Sequence, residues 1–263
     1  MWSTLTRLGL RRAVASRDIP AAVWTDTIDG LTMLDGLTAT ERERLRGLAL
    51  SFLQAKTLEP VGDDTEPAPE LFAALALQAC LPVLELGLDW YSGFRAVILY
   101  PGDFAAEREH VDDTGVVHVV RDELAGEAWD EGPVVLSRAA LDDGASEPGY
   151  NLVIHELAHK LDLQNGVANG MPPLHPGMRP ADWSATFSEA FEALRRQLDR
   201  GEPTDLDPYA ATDPAEFFAV TSEYFFTAPW VLESVYPGVY ALLAAFYRQD
   251  PLSRLRSPRS ERP

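Results

Sequence analysis

The stretch His155-Glu156-Leu157-Ala158-His159 restricts what this chain can fold into more than any other segment. Two imidazoles four residues apart leave one face of an α-helix a turn apart. That separation lets two nitrogens meet a single tetrahedral zinc at about 2.0–2.1 Å. Glu156 leaves the helix about 100° further round. It would stand beside such an ion rather than on it, where a carboxylate can take a proton from water. Leu152, Val153, Ile154, Leu157 and Leu161 make the same segment apolar, so the spacing predicts a buried helix over 150–163. Burying two histidines and a glutamate without partners is costly, and a metal supplies the partner. With five histidines in 263 residues, chance yields about 0.007 such His-Glu-x-x-His matches.

Catalytic zinc keeps three protein ligands and one open position. A third histidine six residues beyond His159 is absent, because Asn165 stands there and Asp162 replaces the glycine of that pattern. A glutamate about twenty residues beyond is also absent, since Met178 and Arg179 occupy that region. His110, His118 and His175 read as surface residues in a charged loop, a strand and a proline-rich stretch. The apolar helix expected at 213–227 carries Glu216 and Glu223, about 10 Å apart along its axis, so both cannot bind one ion. Glu216 is the expected ligand, with Glu223 bonded to a buried donor. The competing reading of Glu216 is a helix-terminal carboxylate favoured by the dipole. Asp162 and Asn165 read equally as partners of the ligands or as turn residues, and Lys160 as a structural residue facing away from them.

The remaining sequence narrows the setting. Twenty-two basic residues against forty-one acidic ones give a net charge of −19, which argues against direct nucleic-acid or anionic-membrane binding. Cys80, the only cysteine, excludes an internal disulfide and reads as a core residue. No apolar run approaches the ~20 residues of a membrane span. Arg11-Arg12 lacks the apolar segment of an export signal, so a cytoplasmic location is expected.

Along the chain, residues 1–37 read as a poorly defined lead-in and 38–90 as an N-terminal helical region packed on the catalytic part. Residues 91–254 read as the catalytic domain and 255–263 as a flexible tail. Thr40-x-x-Glu43 predicts a capping box opening a helix to about Lys56. A second helix is expected over 70–86, kinked near Pro82. Residues 94–100, 116–121 and 132–137 read as strands, the last at an edge because of Pro133. Residues 101–115 read as a charged loop, and further helices are expected at 181–199, 213–227 and 237–248. Helices, a few strands, then helices again predict an α+β fold with a small mixed sheet. No glycine-rich phosphate loop follows a strand.

His155-Glu-Leu-Ala-His-Lys-Leu-Asp162 and Tyr209-Ala-Ala-Thr-Asp-Pro-Ala-Glu216-Phe-Phe-Ala-Val-x-Ser-Glu223-Tyr-Phe-Phe resemble the Mlc titration factor A family of bacterial zinc peptidases. Cys80-Leu-Pro-Val-Leu-Glu-Leu-Gly-Leu-Asp-Trp90 and Phe246-Tyr-Arg-Gln-Asp-Pro-Leu252 share the resemblance. It runs from about 38 to 254 and leaves the first 37 residues without a family inference. The Tyr-x6-Glu-Phe-Phe-Ala arrangement is also similar to the catalytic domain of anthrax lethal factor. The resemblance implies a zincin-like domain with His155, His159 and Glu216 as Zn2+ ligands and Glu156 as general base. It also implies Tyr209 near the metal, with its hydroxyl available to a developing oxyanion. Aminopeptidase-type hydrolysis of small peptide substrates is the implied activity. Binding of the transcriptional repressor Mlc, as in enteric bacteria, is the implied partnership. A regulator that sequesters a Mlc-like repressor, with the zinc secondary, is the alternative from a different class.

Overall fold

The computed structural model describes residues 19–62, 68–101, 104–111, 117–124, 126–128, 132–138, 141 and 148–256, with 104–128 described by backbone alone. Their helices are α1 (Ala21–Gly30), α2 (Ala39–Ala55), α3 (Pro69–Cys80), α4 (Leu152–Asp162), α5 (Pro180–Asp199), α6 (Pro214–Thr227), α7 (Pro229–Val235), α8 (Pro237–Tyr247) and α9 (Pro251–Arg256). The strands are β1 (Thr57–Pro60), β2 (Ala96–Tyr100), β3 (Phe104–Val111), β4 (Val117–Leu124), β5 (Gly126–Ala128) and β6 (Val134–Ser137). Four strands form a mixed sheet in the order β1-β2-β6-β5, parallel except for the antiparallel β5–β6 pair. The α+β expectation with a small mixed sheet therefore holds.

All four residues of β6 are buried, as a strand covered on both faces requires. This strand is interior, not the edge that Pro133 suggested. Pro133 sits one residue before the ladder begins, so its missing N–H breaks no sheet bond. The outer positions belong to β1, which the sequence reading did not resolve, and to β5. Residues 104–111, expected within a loop, are a strand paired antiparallel with β4. Their charge concealed this, because a two-stranded hairpin need not present an apolar face at every second residue.

Helix α2 opens two residues earlier than expected. Thr38 and Glu41 form the capping box, with the Thr38 N–H donating to Glu41 Oε2 at 2.7 Å. Thr38-x-x-Glu41 and Thr40-x-x-Glu43 overlap, and the earlier pair starts the helix while Thr40 lies inside it. Helix α3 stops at Cys80 rather than bending at Pro82, whose ring nitrogen cannot bond back to the preceding turn. The Leu81 carbonyl accepts from the Leu84 N–H at 3.2 Å and from Gln249 Nε2 at 2.8 Å. Cys80 is fully buried, as expected.

The core is continuous across the boundaries drawn at 37 and 90. Trp24, Ile28, Met33 and Leu34 belong to the same apolar cluster as Phe52, Leu77, Leu157 and Phe218. At the other end α9 extends through Arg256, into the expected tail, and Arg254 donates to the Met33 carbonyl at 2.9 Å. Helix α4 packs against β5, β6, α3 and α6. No helix among the described residues is long and apolar enough to cross a membrane.

Candidate metal centre

Helix α4 is fixed at its start by Asn151. Its Oδ1 accepts from the Ile154 N–H at 2.9 Å, and its Nδ2 donates to Gln78 Oε1 of α3 at 2.6 Å. Helix α6 starts at Asp213, whose Oδ1 accepts from the N–H groups of Ala215 at 2.8 Å and Glu216 at 3.0 Å. Pro214 at the first helical position loses nothing by lacking an N–H. This cap sets the backbone of Glu216 itself, so the side chain leaves the helix in its first turn.

The two helices bring His155, His159 and Glu216 together, with one donor atom of each within 4.8 Å of the others. His155 Nε2 and His159 Nε2 are 3.2 Å apart, and Glu216 Oε2 lies 3.0 Å from the first and 3.4 Å from the second. Ligands at ~2.0–2.1 Å from a tetrahedral ion stand about 3.3–3.4 Å from one another. The triangle therefore has the dimensions of one face of such a tetrahedron. Glu223, two turns along α6, reaches the opposite side of the same imidazole, with Oε1 at 2.8 Å from His155 Nδ1. Its Oε2 accepts the Asn151 N–H. A proton on Nδ1 donated to Glu223 leaves the Nε2 lone pair facing the cluster, the arrangement that orients histidine ligands.

Glu156 is buried, and its Oε2 has no hydrogen-bond partner. Burial raises its carboxyl to about 7, with His155 and His159 opposing and Glu216 and Glu223 adding to the shift. Burial opposes charge on Glu216 too, but its bonds to both histidines outweigh that and hold it well below the usual carboxylate range. Burial likewise disfavours a charged His155, yet Glu223 and Glu216 raise it well above the usual imidazole range. Burial raises Glu223 as well, against its bonds to His155 and the Asn151 N–H, so Glu216 alone of the three carboxyls is pushed toward the charged form. A divalent cation in the Nε2–Nε2–Oε2 triangle would supply positive charge directly. The donor set of two imidazoles and one carboxylate fits a metal centre.

Tyr209, on the 3-10 turn Pro208–Ala211, has its ring centroid 6.0 Å from that of His155 and is 42% exposed. Its N–H donates to Asp207 Oδ1 at 2.8 Å. Lys160 is buried away from the cluster, donating to the Gly132 carbonyl at 3.1 Å. Asn165 takes the turn role, with Nδ2 donating to the Met171 carbonyl at 2.8 Å. Asp162 is fully buried and accepts from the Gly170 N–H at 2.7 Å. His175 is not a surface residue: its ring stacks on Phe246 and donates to that residue's carbonyl at 2.8 Å. The side chains of His110 and His118 lie outside the described residues. Asn151 carried no legible signal in the sequence, whereas the expected start of α6 at Asp213-Pro214 holds.

The family of glucose-regulated metallo-peptidases M90 matches residues 5–248. Mlc titration factor A of Escherichia fergusonii is 42% identical over 237 residues, covering 89% of this chain and 88% of the relative. The same-named protein of Salmonella arizonae is 42% identical over 236 residues, covering 89% and 93%. The protein of Yersinia enterocolitica is 41% identical over 239 residues, covering 89% and 88%. The chain belongs to the Mlc titration factor A family. The family match begins at residue 5, so the lead-in is part of the family sequence, contrary to the expectation that it carried none. Of its described residues, Trp24 and Ile28 lie in the same apolar core as Leu157 of α4.

Proposed function

We propose that this member of the family is a zinc-dependent peptidase of zincin-like type, acting as an aminopeptidase on small peptides in the cytoplasm. The observation that carries this reading is the His155–His159–Glu216 triangle beside the unpartnered Glu156 oxygen. Zinc held there would acidify a water and polarise the scissile carbonyl. Glu156 would take a proton from the attacking water and deliver it to the leaving amine. A carboxyl raised by burial suits both transfers near neutral pH. His155 is held in one tautomer by Glu223 throughout. The Tyr209 hydroxyl stabilises the negative charge that develops on the substrate carbonyl oxygen.

An extended substrate would need a free strand edge, and β6, read from Pro133 as that edge, is paired on both sides. Among the described residues no strand pairs with the outer edge of β5, a strand that α4 contacts. We assign substrate pairing to that edge. Purified protein should cleave peptides with free N-termini faster than blocked ones, lose activity to a chelator and regain it with zinc. Activity unaffected by complete metal removal would contradict the reading.

The relatives' name favours a second role, binding of a Mlc-like repressor by this chain. The two roles are compatible. Retention of repressor binding by a hydrolysis-deficient variant would make them independent.

A further inference from the structure

Gly170 touches α4 and α6, the two helices that carry the metal cluster, and is bonded to α5 as well. Its N–H donates to Asp162 Oδ2, on the last residue of α4, at 2.7 Å. Its carbonyl accepts from Trp183 Nε1 of α5 at 2.9 Å. Both bonds are buried, and Trp183 is held in turn by stacking on Phe187 at 4.3 Å. The third contact uses the side chain that glycine lacks. Gly170 has φ +77°, and a Cβ there would fall on the Pro214 carbonyl oxygen and lie 2.9 Å from its carbonyl carbon. A helix backbone cannot yield like the end of a flexible side chain, so the close approach and the positive φ both demand glycine.

The places it joins matter more than their number. Asp162 lies three residues beyond His159, and Pro214 two residues before Glu216. The separation of α4 and α6 at this end fixes how far Glu216 Oε2 stands from the two imidazoles. We infer that Gly170, clamped by Asp162 and Trp183, is the spacer that positions Glu216 for metal binding. It is a positioning residue, acting through Glu216 and touching neither metal nor substrate. The inference rests on the proposed metal centre and adds what sets its third ligand. The other two ligands need no such device, because both are on one helix.

The test is a double-mutant cycle read as zinc affinity, by competition with a chromophoric chelator. Gly170→Ala should weaken zinc binding by ~10–100-fold, the range for residues that orient ligands. In a Glu216→Ala background, where the two histidines remain, the same substitution should change affinity by no more than about twofold. Trp183→Phe keeps the stacking and loses the bond to Gly170. It should show the same background dependence with a smaller loss, and it carries the cycle if Gly170→Ala fails to fold. Equal losses with and without Glu216, or wild-type affinity in the folded variants, would overturn the spacer. Failure of the wild-type chain to bind zinc would overturn the metal centre itself.

Discussion

Helices α4 and α6 contribute to one cluster but come by their geometry differently. In α4 the positions of His155 and His159 follow from helical spacing, so any burial of this helix brings two nitrogens together. In α6 nothing local places Glu216 against them. Asp213 starts the helix, Pro214 rests on Gly170, and Glu223 ties the far end to Asn151 and His155. A site can thus have a half written in the spacing of one element and a half that exists only after the chain has packed.

This difference predicts graded effects. Glu216→Ala should reduce zinc affinity by more than the ~10–100-fold typical of residues behind the ligands, measured by metal competition. Tyr209→Phe should lower kcat by about 10²–10³-fold, as loss of an oxyanion donor does. Zinc content should stay unchanged, because the residue is not among the three ligands. Glu223→Ala should cost ~10–100-fold in zinc affinity. It should also lower the melting temperature of the metal-free protein, since the buried Asn151 N–H loses its acceptor. A loss from Glu223→Ala larger than that from Glu216→Ala would exchange the roles of the two glutamates.

The smallest effect concerns pH. Burial raises Asp162 to about 6 and Glu156 to about 7, above their unfolded values. Between about pH 4 and 6 the folded chain then holds more protons at these groups than the unfolded chain, and their contribution to stability falls as pH rises. Asp162→Asn removes one share of that trend, so the melting temperature of the metal-free variant should depend less steeply on pH in this window. Identical slopes would contradict the burial argument.

The sequence made α4 legible because its chemistry and burial share one period. Helix α6 was legible as an apolar helix with two carboxylates, and Glu223 was expected on a buried donor. That this donor is His155 depends on how the helices cross, which no local pattern encodes. Gly170 was illegible for the same reason, its partners lying 8, 13 and 44 positions away. The sheet suffered most: β5 and β1 are three and four residues long, too short for alternation to register. Pro133 suggested an edge that its place just outside the ladder does not require.

The account depends most on Glu156, the buried carboxylate that binds no ligand and lacks a partner at Oε2. The direct test is zinc content and peptide hydrolysis measured on the same preparation of Glu156→Gln. The account predicts one zinc per chain, as in the wild type, with hydrolysis reduced by at least ~10²–10⁴-fold. Hydrolysis at the wild-type rate with zinc in place would contradict it.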